Sequence, residues 1–317
     1  MNMKEFLKKL KSNNNYSDEL INMLGSIIPS FINVLGEQYR SRIYELIERI
    51  HFFEYDDLNV GGEHLTNYFD NGKEYRINSI AIGGGFVEDG YYVDENKNVS
   101  QKLVVGVSKT NSNNKIQTLI HEICHALSFS NGILDGDYII TTTGFNKTKY
   151  KYNGKYIDEK VSDEYLIFNE IITENLAMQI MDDYDNNVIH EPSSYNGYVN
   201  YFKELFRNPK LNYIIINDYF NHTFNFLNEI NNLFTNEDLR ECISGFFTDE
   251  NMNNPMIKEH LIRISNMSPS EFFLEYMKSL EFSYGENKDR KSNKSIRNIN
   301  LDIVYMLGER LNNNMTL

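Results

Sequence analysis

Tryptophan is missing from this chain, and cysteine occurs only as Cys124 and Cys242. Two cysteines with no C-x-x-C pair offer no disulfide framework. A surplus of basic charge is also missing. The formal net charge is −14, which argues against nucleic acid as a partner. No apolar run approaches the roughly 20 residues that a membrane span requires, so no span is expected. The opening MNMKEFLKKLKSNNN carries basic residues but no following apolar stretch, unlike a secretory signal. The expected location is cytoplasmic, with export without a cleaved signal left open. No internal repeat is evident. The missing tryptophan and the abundant Asn, Ile, Lys and Tyr read as coding bias. At 317 residues the chain can hold one large or two modest domains with a sizeable core.

What is present is concentrated at His121-Glu122-Ile123-Cys124-His125. This is H-E-x-x-H inside a run with helical periodicity. Two histidines four apart on a helix share one face and can reach one metal ion. At about 100° per residue, with His121 at 0°, His125 falls near 40°. Ile116, Leu119, Ile120, Ile123, Ala126 and Leu127 fall between about 140° and 260°, opposite the histidines. Such a helix packs one face on a core and turns the other to a cleft. Glu122, near 100°, lies to the side, where it can work on a metal-bound water. Asn111-Ser112-Asn113-Asn114 is the expected cap at its start, and Asn131-Gly132 its expected stop. Cys124 reads as a small packing residue.

Two helical histidines need a further protein ligand to make a zinc site. A continuation H-x-x-G-x-x-H is ruled out, since Ser128 and Asn131 stand at its Gly and His positions. Downstream, YLIFNEIITENLAMQIM from Tyr165 to Met181 is apolar on nearly every side of the wheel, so a buried helix is expected. It nevertheless carries Glu170 and Glu174 one turn apart. Buried carboxylates are costly unless they are paired or bind metal.

With Asn169-Glu170-Ile171-Ile172-Thr173-Glu174 following His121–His125, the chain resembles the gluzincin group of zinc peptidases, which includes thermolysin. The pattern of that group is H-E-x-x-H, then a helix with N-E-x-x-[S/T]-[D/E]. The resemblance covers the two motif helices and their order. The stretch between His125 and Glu170 is longer than in thermolysin-like enzymes. The resemblance implies one Zn²⁺ per chain held by His121, His125 and Glu170. It makes Glu122 the general base and Glu174 the acceptor of a hydrogen bond from His121. It implies a peptide or protein substrate, whose carbonyl the zinc polarises while Glu122 moves the proton of the attacking water. Enzymes of this group usually add a Tyr or His that stabilises the oxyanion. Tyr156, His190, Tyr198 and His222 are the candidates, and the sequence does not choose among them. The alternative is a non-catalytic protein whose zinc holds two helices together while the helical part binds a partner. The intact Glu122 disfavours it, since a structural site needs no base there.

The fold class expected is α+β, zincin-like. An N-terminal α/β lobe with a small mixed sheet and the H-E-x-x-H helix would span 1–135. A mainly helical lobe carrying the third ligand would span 136–317, with the zinc in the cleft between. Residues 1–55 read as helices with breaks at Asn13-Asn14-Asn15 and Pro29, and Phe31 to Phe53 as an amphipathic run. Tyr75 to Ile82 and Leu103 to Ser108 read as strands, and Asp89-Gly90 as a hairpin turn. Gly83-Gly84-Gly85 is not a phosphate loop, because no helix opens there and no Lys-Ser/Thr follows. It reads as a bend, or as an edge strand for extended peptide of the kind gluzincins use. Thr141 to Lys160 reads as a Tyr-rich hairpin about Asn153-Gly154. In the helical part, Tyr195, Tyr198, Val199, Phe202, Leu205 and Phe206 share a face, with Pro209 ending the run. Ser268-Pro269-Ser270-Glu271 is a capping box. Lys288, Arg290, Lys291 and Lys294 read as a solvated basic loop.

Overall fold

A computed structural model describes residues 2–13, 16–55, 64–70, 73–79, 85–93, 99–108, 115–130, 132–152, 157–185, 196–281 and 290–315. It is a mixed α+β protein, mainly helical, with small sheets. The chain divides into two compact units. One comprises Met1–Thr143, Lys147–Asp163 and Thr173–Glu191, the other Gly144–Asn146, Glu164–Ile172 and Pro192–Leu317. Among the described residues no helix is long and apolar enough to cross a membrane.

The first unit begins with helices α1 (Met3–Asn13), α2 (Asp18–Leu35) and, after a short 3-10 turn at Glu37–Tyr39, α3 (Arg40–Arg49). Pro29, expected as a break, lies inside α2. Interior proline costs a helix about 3 kcal/mol or more. Here Leu20, Ile21, Leu24, Ile27, Ile28, Phe31, Ile32 and Leu35 are buried on both sides of it. Each buried side chain of this size contributes roughly 1.5–3 kcal/mol, so burial carries the helix past the proline. The break falls instead at Gly36, whose φ of 98° suits glycine.

Strand β1 (His51–Tyr55) follows, where a helical pattern was expected. Its reason is distant in sequence. It pairs in parallel with β5 (Val99–Ser108), Phe52 opposite Val105, and both these side chains are buried. Between them run β2 (His64–Asp70), β3 (Lys73–Ser79) and β4 (Gly85–Val93). β2 and β3 form an antiparallel pair, while β1, β5 and β4 form a three-stranded mixed sheet with β5 central. Asp89-Gly90 is not a turn. It lies within β4, opposite Leu103 and Lys102, in a ladder that runs from Gly85–Val107 to Val93–Val99. A long antiparallel ladder outweighs a dipeptide turn signal. Of the glycine triplet, Gly85 opens the edge strand β4, and Gly83 and Gly84 lie outside the described residues.

Helix α4 (Lys115–Leu127) packs on β4 and β5 and against α3. β6 (Ile133–Asp135), β7 (Tyr138–Thr143), β8 (Asn146–Tyr152) and β9 (Ile157–Glu164) then form a four-stranded sheet in that order. The Tyr-rich segment is thus part of a larger sheet than one hairpin. Asn153-Gly154 lies outside the described residues, and the two-residue turn is Gly144-Phe145. Helix α5 (Leu166–Tyr184) follows.

The remaining helices are α6 (Asn196–Phe206), α7 (Pro209–Asn221), α8 (Asn225–Leu233), α9 (Asn236–Ser244), α10 (Asp249–Met252), α11 (Pro255–Ile264), α12 (Pro269–Glu281) and α13 (Arg290–Met315). Pro209 opens α7 behind the N-cap Asn208. Ser268 and Glu271 exchange the capping-box hydrogen bonds at α12. Arg290, Lys291 and Lys294 belong to the start of α13, not to a loop, and Lys288 lies outside the described residues. Val199, Phe202, Leu205 and Phe206 of α6 are buried, with Phe202 against Phe168 and Tyr276.

A polar chain crosses this core. His260 of α11 bonds Asn300 of α13 through Nε2 at 2.7 Å, and Arg263 donates to its Nδ1 at 3.2 Å. Arg263 in turn donates to Glu275 at 2.7 Å. An imidazole that accepts at Nδ1 is neutral, with its proton on Nε2. Burial, opposed by the Asn300 hydrogen bond, holds its pKa below the ordinary value. The folded state therefore binds fewer protons than the unfolded chain at mildly acid pH. Stability contributed by His260 is full above an unfolded pKa of about 6.5 and is lost as pH falls toward the folded value. Urea midpoints measured from pH 7.5 to pH 5 are expected to fall more steeply for wild type than for His260→Gln. Parallel curves would remove His260 as the cause.

Candidate metal centre

Helix α4 is anchored before it presents anything. Lys115, its buried first residue, carries a positive charge at the end of the helix where the dipole disfavours one. Its Nζ donates to Glu19 of α2 at 2.8 Å. Of the apolar positions on the wheel, Leu119, Ile120, Ile123, Ala126 and Leu127 are buried and Ile116 is half-buried. The helix stops at Leu127, earlier than Asn131-Gly132. Ser128 Oγ donates to the His125 carbonyl at 2.8 Å, and Ser130 N–H pairs with Thr142 of β7. Strand pairing ends the helix here. Asn111–Asn114 and Asn131 lie outside the described residues.

Helix α5 is buried through Ile167, Phe168, Ile171, Ile172, Leu176, Ala177, Ile180 and Met181. Against α4 it sets two polar contacts. Glu174, 2% exposed, accepts a hydrogen bond from His121 Nδ1 through Oε2 at 2.8 Å. Thr173 Oγ1 lies 3.4 Å from His125 Nδ1 and is also buried. Glu170 stands one turn before Glu174. One ligand atom each from His121, His125 and Glu170 lies within 4.8 Å of the others.

The two imidazoles carry the strongest geometric indication. With Nδ1 of His121 directed to Glu174, its Nε2 is the ring nitrogen turned toward His125. That Nε2 sits 3.1 Å from Nε2 of His125, with the rings at 74° to each other. A proton shared between the two nitrogens satisfies this pair in the metal-free protein, and a cation held by both would take that proton's place. In a tetrahedral zinc site, Zn–N bonds of 2.0–2.1 Å put neighbouring nitrogens about 3.3–3.4 Å apart. The 4.8 Å bound on the set leaves at most roughly 1.5 Å for the half-buried Glu170 to close by side-chain rotation. The donor set fits one divalent ion with an open position. Two imidazoles and a carboxylate suit zinc and iron(II) alike. Glu122 is adjacent to His121 on α4.

Cys124, fully buried inside the motif, is a packing residue. Burial, then the charges of Glu174 and Glu122, push its thiol well above the ordinary range. Among the four Tyr or His candidates, Tyr156 and His190 lie outside the described residues. Tyr198 lies beneath the guanidinium of Arg297, 5.6 Å from ring centre to Cζ. His222 ends α7 in the left-handed conformation, with Nδ1 3.0 Å from the Gly144 carbonyl. A carbonyl only accepts, so Nδ1 of His222 carries the proton. Thr173 and Asn169 were quoted in the motif without a role. Their contacts, to His125 and to Phe145, depend on residues 24 or more positions away.

No family model, curated protein or solved structure matches the chain.

Proposed function

We propose that this chain is a zinc-dependent metallopeptidase of zincin-like fold. The observation that carries the reading is the convergence of His121, His125 and Glu170, with the two Nε2 atoms 3.1 Å apart. His121, His125 and Glu170 would hold one Zn²⁺. Zinc, when bound, lowers the pKa of a coordinated water to about 7 and polarises a carbonyl. Glu122 takes a proton from the attacking water and delivers it to the leaving amine. Glu174 fixes the His121 ring and raises its basicity. The edge strand β4, opening at Gly85, offers backbone groups to an extended peptide.

The test is metal analysis of protein purified without added metal. One zinc per chain is expected, and chelation is expected to abolish hydrolysis of a peptide library read by mass spectrometry. Iron at stoichiometric level, or no metal after zinc is offered, would overturn the reading.

Glu174→Ala is expected to weaken zinc binding by roughly 10–100-fold without removing a ligand. A competitive chelator titration measures it. Affinity equal to wild type would refute the orienting role and leave the ligand set standing.

A further inference from the structure

Asn169 stands immediately before Glu170 on α5. It is 1% exposed, and its Oδ1 accepts the Phe145 backbone N–H at 2.9 Å. Phe145 belongs to the two-residue turn between β7 and β8. A buried turn N–H needs an acceptor, and this one finds it on α5.

The other half of the turn is built around the same atom. Gly144 has φ +57°, and a Cβ there would lie 2.2 Å from Asn169 Oδ1 and 2.3 Å from the Tyr219 ring. Neither the backbone conformation nor the space admits a side chain. From beyond, His222 donates its Nδ1 proton to the Gly144 carbonyl. The Phe145 ring lies 5.1 Å from Phe168, 5.3 Å from Phe224 and 5.6 Å from Phe226. The turn therefore grips α5 at two consecutive residues, Phe168 by its ring and Asn169 by its amide. Those two side chains leave the helix about 100° apart. Two grips at such an angle stop rotation of the helix about its own axis, which a single contact cannot do. The next residue, a further 100° or so round, is Glu170.

We infer that Asn169 is a positioning residue, which with the Gly144-Phe145 turn sets the rotation of α5 so that the Glu170 carboxylate faces His121 and His125. The inference rests on the metallopeptidase reading above. A carboxylate ligand must be placed to a fraction of an ångström, and a helix free to rotate would not hold it there.

Four variants of the full chain test this by zinc titration against a chromophoric chelator and by the visible spectrum of the cobalt(II) form. Asn169→Ala removes the acceptor. Gly144→Ala attacks the same contact from the turn. Both are expected to raise the zinc Kd by roughly 10–100-fold and to alter the cobalt spectrum at saturating metal. Asn169→Asp keeps an accepting oxygen and is expected to recover part of the affinity that Asn169→Ala loses, the remainder being the cost of a buried charge. Thr235→Ala breaks the capping box of α9 in the same compact unit. It is expected to lower Tm and leave both metal readouts unchanged. Wild-type affinity and spectrum in a folded Asn169→Ala or Gly144→Ala overturn the inference. So does equal weakening in Thr235→Ala, which would mark a general loss of stability. If Asn169→Ala does not fold, Gly144→Ala and Asn169→Asp decide. A wild-type chain that binds no zinc overturns the metallopeptidase reading and this one with it. Zinc binding in wild type beside equal binding in the variants overturns only this one.

Discussion

Glu122→Gln is expected to keep its fold and its full complement of zinc while losing peptide hydrolysis by roughly 10²–10⁴-fold, the usual worth of a positioned general base. The amide has nearly the volume of the carboxylate, so packing along α4 is not disturbed. It cannot accept a proton at neutral pH, and it carries no charge. Glu122 stands next to His121 but on a different side of the helix, outside the converging ligand atoms. Zinc binding should therefore be indifferent to it. The measurement pairs metal analysis with initial rates on a peptide found by library screening. Undiminished hydrolysis in a zinc-loaded Glu122→Gln would remove Glu122 as base. Zinc binding with no cleavage of any peptide by wild type would favour a protein in which the metal only holds helices together.

Why α4 and α5 were legible in the sequence, and β1 was not, follows from where the determining interactions lie. The His121–His125 face and the apolar face opposite it are fixed by a 3.6-residue period within one helix, so they can be read locally. The same holds for the buried character of α5 and for the capping box at Ser268. β1 exists because Phe52 meets Val105 in a parallel ladder, a pairing no local pattern encodes. Pro29 sits within a helix because buried side chains on both sides outweigh its local cost. Asp89-Gly90 is a strand segment because the β5 ladder continues through it. The candidate site divides in the same way. Its ligand types and their one-turn spacings were visible in the motifs. The contacts that orient them, Thr173 to His125 and Asn169 to Phe145, exist only after folding brings separate elements together.

The ligand set makes the second large prediction. His121→Ala, His125→Ala and Glu170→Ala are each expected to lose zinc at concentrations where wild type is saturated. The three need not be equal in their effect on the fold. His121 and His125 lie on α4, and His125 is itself buried, so its truncation also removes packing against Thr173. Glu170 is half-buried on α5, between Asn169 and Ile171, both of which are buried. Glu170→Ala is expected to lose the stabilisation that zinc confers on wild type, and so to be clearly less stable with zinc than the zinc-bound wild type. Thermal unfolding with and without zinc reads this, because a ligand that binds only the native state raises Tm by an amount that grows with the logarithm of its concentration over Kd. A Glu170→Ala chain that zinc stabilises as strongly as it stabilises wild type would take Glu170 out of the ligand set and make Glu174, one turn on along α5, the next candidate.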